Sequence, residues 1–247
     1  MIELSKIFYA PSDYILFPKK NKNKNILSDI SLRIEHGEIL GIIGESGAGK
    51  TTIGKLVAGI IKPSTGVINY NSVKLEEIQI LFQNSSELIN PYRKVESLLT
   101  DTTNGEKEKI HNLIENVNLD KSILDKFAFQ LSGGERQRIA LTRILATNPK
   151  LLIIDEPFSA QDYDSQLNLM ELFTELNHKS NLTILCISHD LEIMKKFPNK
   201  LVVMKEGEIV EEGLTTEVVN APKHKYTKFL FKASTYKLTP EDFENIK

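Results

Sequence analysis

The chain has 247 residues, 40% hydrophobic and 26% charged, enough apolar mass for one large domain, or a domain with a subdomain, to bury its own core. A formal net charge of −2 removes any general electrostatic case for a nucleic-acid partner, which would show a basic excess. The apolar runs Leu151 to Ile154 and Leu182 to Ile187 fall far short of the ~20 residues that span a bilayer, and the N-terminus lacks a signal-peptide pattern. The expectation is a cytoplasmic chain, or one held at a membrane by a partner. The single cysteine, Cys186, lies inside an apolar run and reads as a small core residue.

In chain order, Ile2 to Phe8 and Ile30 to Ile34 read as short strands, the second with apolar residues at alternate positions, and Pro18 to Asn25 is a lysine- and asparagine-rich surface loop. The apolar run Ile39 to Ile43 then leads into Gly44-Glu45-Ser46-Gly47-Ala48-Gly49-Lys50-Thr51, which fits G-x-x-x-x-G-K-[ST]. Glycines at these places let the backbone curl until several N–H groups point inward at phosphates, and the helix that begins near Lys50 aims the positive end of its dipole the same way. Lys50 would neutralise β/γ oxygens and Thr51 would ligate Mg²⁺, with Thr52 next in the loop's helix. The loop says that the chain binds a nucleoside triphosphate, and does not by itself choose among kinase, GTPase, helicase or transport motor.

Ile53, Leu56, Val57 and Ile60 have the spacing of a helix from Thr52 to Ile61 with one buried face. Val67 to Tyr70 and Ile78 to Phe82 read as strands. The texture turns polar and helical between Asn84 and Leu145, the candidate subdomain. A strand returns at Leu151 to Ile154 and ends in two adjacent carboxylates, Asp155 and Glu156. Beside the phosphate loop in one sheet, Asp155 would reach the Mg²⁺ shell and Glu156 would orient or deprotonate an attacking water. A helix near Gln166 to Leu176, a strand at Leu182 to Ile187, a helix from Leu191 to Lys196 and a hairpin of Leu201 to Met204 with Glu208 to Val210 complete an α/β alternation with parallel strands.

Taken together, these motifs resemble the ATP-binding subunits of ABC transporters over nearly the whole chain. Leu131-Ser132-Gly133-Gly134-Glu135 resembles the LSGGQ signature, Gln83 the Q-loop, Ser159 to Asp162 the D-loop and His189 the switch histidine. The resemblance implies a P-loop NTPase (RecA-like) α/β core at residues 1–83 and 146–215, with an antiparallel β subdomain, a helical signature subdomain at 84–145 and a C-terminal tail at 216–247. It implies ATP and Mg²⁺ as ligands, with Thr51, Gln83 and Asp155 around the metal and Glu156, His189 and Gln83 around the γ-phosphate. Ser132, Gly133, Gly134 and Glu135 would contact ATP held by an opposing subunit, Ser132 as a helix cap and the glycines through bared N–H groups. Glu135 stands where glutamine is usual, and Gln161 where leucine is common. Tyr14 or Phe17 is the candidate for stacking on adenine.

Phe82-Gln83-Asn84-Ser85-Ser86-Glu87-Leu88-Ile89-Asn90-Pro91 and Asn220-Ala221-Pro222-Lys223-His224-Lys225-Tyr226-Thr227-Lys228-Phe229-Leu230 are similar to stretches of the oligopeptide, dipeptide and nickel importer branch. That branch implies a second, different ABC ATPase, two transmembrane permease subunits and an extracytoplasmic binding protein as partners, on the cytoplasmic face of the cell membrane. The chain ends soon after Tyr226-Thr227 and carries only one cysteine, which favours a nickel or metal-chelate importer over a peptide importer. His224 lacks the clustered partners of a metal site.

Overall fold

The nearly continuous apolar runs of this sequence become strands covered on both faces. The computed structural model describes residues 1–11, 25–82, 89–159 and 161–234. In it β3 (Ile39–Gly44), β5 (Ile78–Leu81), β6 (Leu151–Asp155), β7 (Thr183–Ile187), β8 (Lys200–Lys205) and β9 (Glu208–Leu214) form a six-stranded sheet in the order β5-β6-β7-β3-β8-β9. Neighbours from β5 through β8 are parallel, and β9 returns antiparallel to β8.

The period-2 geometry of a strand sends successive side chains to opposite faces, and two apolar clusters follow from it. Leu40 and Ile42 join one with Ile53 and Leu56 of α1 (Lys50–Val57) and with the buried sides of β1 (Ile2–Tyr9) and β2 (Leu27–Ile34). Ile39 and Ile43 join the other, with the buried sides of α2 (Val95–Thr103), α3 (Lys107–Asn116), α4 (Gly133–Leu145) and α5 (Tyr163–Ser180). β1, β2 and β4 (Thr65–Asn69) make a separate antiparallel sheet in the order β2-β1-β4.

Element ends differ from the sequence reading for local reasons. β2 starts before Ile30 because Leu27 pairs with Tyr9 across the antiparallel sheet. α1 stops at Val57 rather than Ile61: Gly59 takes φ 69, and Ile60, read as part of the buried face, is 54% exposed. α5 is longer than expected, because Asp162 caps its start through Ser165 N–H and Asn181, at φ 52, ends it. α6 covers only Leu191–Met194. Beyond the hairpin, α7 (Thr215–Asn220) and α8 (Lys225–Ser234) are helices that the sequence reading did not assign. No helix among the described residues is long and apolar enough to cross a membrane.

Candidate nucleotide-binding site

Strand register brings the chemistry together. Ile42 of β3 lies opposite Ile187 of β7, and Ile187 lies opposite Asp155 of β6, so all three strands finish along one edge of the sheet. The phosphate loop, the Asp155-Glu156 pair and Ser188-His189 therefore emerge side by side at the carboxyl ends of parallel strands, where open α/β sheets bind ligands. A cleft of about 710 Å³ opens there, lined by Glu45 to Thr52, Glu156 and His189, together with Asn25, Ile26 and Glu206. Its volume suits a nucleotide-sized ligand.

Two glycines of the loop are required by geometry. Gly44 has φ 150, and a Cβ there would sit 2.2 Å from the Met204 carbonyl oxygen of the neighbouring strand. Gly49 caps α1 at φ 97, with Leu27 Cδ2 2.5 Å from where a Cβ would stand. Lys50 folds back so that Nζ donates to the carbonyls of Gly44 at 2.8 Å and Glu45 at 2.9 Å. Burial pulls its pKa below the ordinary lysine value, against the opposing pull of Glu156, Asp155 and Glu45.

Thr51 Oγ1 donates to Asp155 Oδ1 at 3.2 Å. Asp155 is buried, and desolvation pushes its carboxyl pKa up, aided by the like charge of Glu156 and opposed by the Thr51 hydrogen bond and Lys50. Both groups offer hard oxygen donors at one spot, which fits the requirements of Mg²⁺.

Glu156 is a non-glycine residue at φ 53, a conformation fixed on one side by its N–H bond to the Ile187 carbonyl at 2.8 Å. The next residue but one anchors the turn from below: Phe158 is fully buried, edge-on to Phe173 and Phe197. So placed, Glu156 Oε2 meets His189 Nδ1 at 2.7 Å, with the histidine side chain 69% exposed toward the cleft and the carboxylate 18% exposed. Ser159 Oγ donates to the Glu156 carbonyl at 2.9 Å, tying the D-loop to the same turn. Asp162 serves α5 as its cap, accepting from Ser165 N–H at 2.9 Å.

The signature residues are not among those lining this cleft. Ser132 caps α4 by accepting from Glu135 N–H at 3.2 Å, and Glu135 Oε2 accepts from Ser132 N–H at 2.7 Å, a reciprocal capping box. Lys126 Nζ also reaches Glu135, at 3.2 Å. The Glu135 carboxylate is thus turned back on its own helix start. Gly133 and Gly134 are exposed, and a Cβ on either would meet nothing within 4 Å among the described residues. Gln83, Tyr14 and Phe17 lie outside the described residues; Ile26 supplies an apolar side chain at the cleft that the sequence reading passed over.

The carboxylate strand β6 does not sit directly beside the phosphate-loop strand β3, as the sequence suggests, because β7 lies between them. A phosphate loop after a central parallel strand, with a carboxylate strand one place further along the same sheet, defines a P-loop nucleoside triphosphatase. Residues 27–159 match the family model described as ABC transporter, and the chain belongs to the ABC transporter family as an ATP-binding transport ATPase. The oligopeptide transport ATP-binding protein OppF of Lactococcus lactis subsp. lactis is 33% identical over 92% of this chain and 77% of its own length. The dipeptide transport ATP-binding protein DppF of Haemophilus influenzae is 32% identical over 94% of this chain and 76% of its own. The nickel import ATP-binding protein NikE of Brucella suis is 34% identical over 85% and 86% respectively. Among solved structures, cbiO1 of Clostridium perfringens, part of the ABC transporter complex cbiONQ, superposes with a TM-score of 0.79 at 25% identity over 95% of this chain and 96% of that one. The ATP-binding cassette MJ0796, in a dimeric post-hydrolysis state bound to ADP and Pi, shares the fold with a TM-score of 0.71 at 22% identity over 87% of this chain and 99% of that one.

Proposed function

We propose that this chain is the ATPase subunit of an importer for peptides or nickel, held against the cytoplasmic face of the cell membrane by two permease subunits and working beside a second, different ATPase. The observation that carries the enzymatic part is the 2.7 Å contact between Glu156 and His189 at the mouth of the cleft that contains Lys50. Its identity with OppF, DppF and NikE over most of its length supports the importer part.

In this reading the loop N–H groups and Lys50 hold the triphosphate, and Glu156 accepts the proton of the attacking water. His189 orients that carboxylate and donates toward the γ-phosphate. Thr51 and Asp155 would hold Mg²⁺, which supplies charge neutralisation on the phosphate oxygens. Gln83 is the third proposed member of that shell, and it lies outside the described residues.

The exposed signature supports a site completed by another subunit. Nothing in the packing of the described residues requires glycine at 133 or 134, whereas a phosphate approaching the start of α4 does, because any side chain there would stand between it and the N–H groups. The division follows the same lines: a nucleotide core at 1–83 and 146–215, a signature subdomain at 84–145 that meets the partner's nucleotide, and a tail from 216 onward.

Co-purification of the chain from detergent-solubilised native membranes tests the assignment. The expected partners are a different ABC ATPase and two membrane subunits, with a binding protein captured after crosslinking whose ligand separates peptide from nickel. Recovery only with ribosomes or DNA-processing proteins would overturn transport.

A further inference from the structure

The phosphate loop is gripped from both sides at one residue. Glu45 gives its carbonyl oxygen to Lys50 Nζ at 2.9 Å, while its N–H donates to the hydroxyl of Tyr226 at 3.1 Å. Tyr226 lies on α8, far along the chain, and is 1% exposed. Lys205 of β8 stands 5.5 Å from the centre of its ring.

α8 is fixed at its start as well. Glu211 of β9 accepts from the N–H groups of Lys223 at 2.7 Å and His224 at 3.0 Å, and His224 Nδ1 accepts from Tyr226 N–H at 3.2 Å. The tyrosine therefore reaches the loop from a rigid mount. Its phenol stays neutral throughout the physiological range: burial, with the Glu45 charge beside it, pushes the pKa up to about 12.

We propose that Tyr226 is a positioning residue for nucleotide binding: its hydroxyl fixes the Glu45 peptide, and with it the first half of the phosphate loop, in the shape that receives the phosphates. Lys50 is a second restraint on this residue, and the same ammonium is the group expected on the β/γ oxygens. When Lys50 turns from the Gly44 and Glu45 carbonyls to phosphate, the Glu45 carbonyl keeps only the loop's own Ala48 N–H bond at 3.2 Å, and the Tyr226 bond is what still ties Glu45 to the rest of the fold. The hydroxyl never touches the nucleotide; it lowers the ordering that binding would otherwise require. The proposal rests on the chain binding ATP.

Tyr226→Phe in the full chain removes the hydroxyl and keeps the ring. At a temperature where circular dichroism shows both proteins fully folded, ATP titration is expected to give a Kd about 3- to 10-fold weaker in the variant, the range of one hydrogen bond. Amide exchange over residues 44–49 should accelerate in the nucleotide-free variant. In the assembled complex KM for ATP should rise with kcat at saturating ATP unchanged, a split that loss of stability alone would not produce. Wild-type Kd, KM and loop exchange in Tyr226→Phe, with only a lower Tm, would overturn the proposal and leave the ATPase reading intact. A wild-type chain that binds no ATP in the same titration would overturn both.

Discussion

Glu156 Oε2 and His189 Nδ1 are 2.7 Å apart, and the backbone of each belongs to a different strand end of the same sheet edge. The pairing is made from a left-handed φ of 53 at Glu156, where the backbone leaves the strand and is held by the Glu156 N–H bond to the Ile187 carbonyl. Glu156→Gln keeps the shape and removes the base, so turnover of the assembled complex should fall by about 10²- to 10³-fold, the scale of one general base. ATP affinity should survive. His189→Ala should lower turnover by about the same order, since the role proposed for the histidine runs through the same carboxylate and phosphate. Unchanged turnover in Glu156→Gln would remove it from the role of base.

Lys50 bonds the loop carbonyls here, and in the proposed function it turns to the phosphates of a bound nucleotide. Lys50→Ala should weaken ATP binding by about 10- to 100-fold, as expected when charge-assisted bonds to phosphate are lost. Isothermal titration with Mg-ATP on the isolated chain reads this directly. An affinity equal to wild type would contradict the phosphate role.

Glu135 takes the place of a glutamine common at this point of the signature, and its pKa is held below the ordinary carboxylate value, chiefly by the Ser132 N–H, with Lys126 adding to the effect against burial. The folded state thus prefers the charged form, so the residue contributes stability above its unfolded pKa and loses it as pH falls through the lower folded value. Glu135→Gln retains an acceptor for the Ser132 N–H but cannot titrate. Urea denaturation over a series from about pH 6 to pH 3 should show a shallower acid loss in the variant, with the two proteins converging at the acid end. Parallel curves would mean that the capping carboxylate makes no pH-linked contribution.

Sequence carried the site further than the fold's edges. Asp155, Glu156 and His189 stand at or just past strand ends marked by apolar runs, Lys50 and Thr51 begin the helix after the loop that follows another such run, and burial of those runs on both faces goes with the parallel sheet that aligns Ile42, Ile187 and Asp155. What stayed hidden is of another kind. The positive φ of Glu156 leaves no trace in residue type, because glutamate has no preference for that conformation and tertiary bonds impose it. The contact from Tyr226 to Glu45 joins positions 181 residues apart, and no local pattern encodes it. Ile60 had the helical spacing of a core residue, but Gly59 ended the helix first. The segment that forms α8 resembles a branch motif in the sequence, and the structure shows it as a helix. Its Tyr226, Thr227 and Phe231 are nevertheless buried against the rest of the chain.

Gln161, where leucine is common, ties two functional segments together. Its Nε2 donates to Gln137 Oε1 of α4 at 2.6 Å and to the Pro157 carbonyl at 3.3 Å, while Gln137 Nε2 reaches the same carbonyl at 3.0 Å. The signature helix is thereby clasped to the turn that follows Glu156. Gln161→Leu removes one arm and leaves the Gln137 bond, so the stability cost should be about 0.5–1.5 kcal/mol, read by urea denaturation. Because none of these groups lines the nucleotide cleft, ATP affinity of the isolated chain should not change. Turnover in the assembled complex should fall, since the clasp joins α4 to the turn that carries Glu156, the proposed base. A Kd for ATP that weakened in step with turnover would place the effect in the nucleotide cleft and refute the clasp.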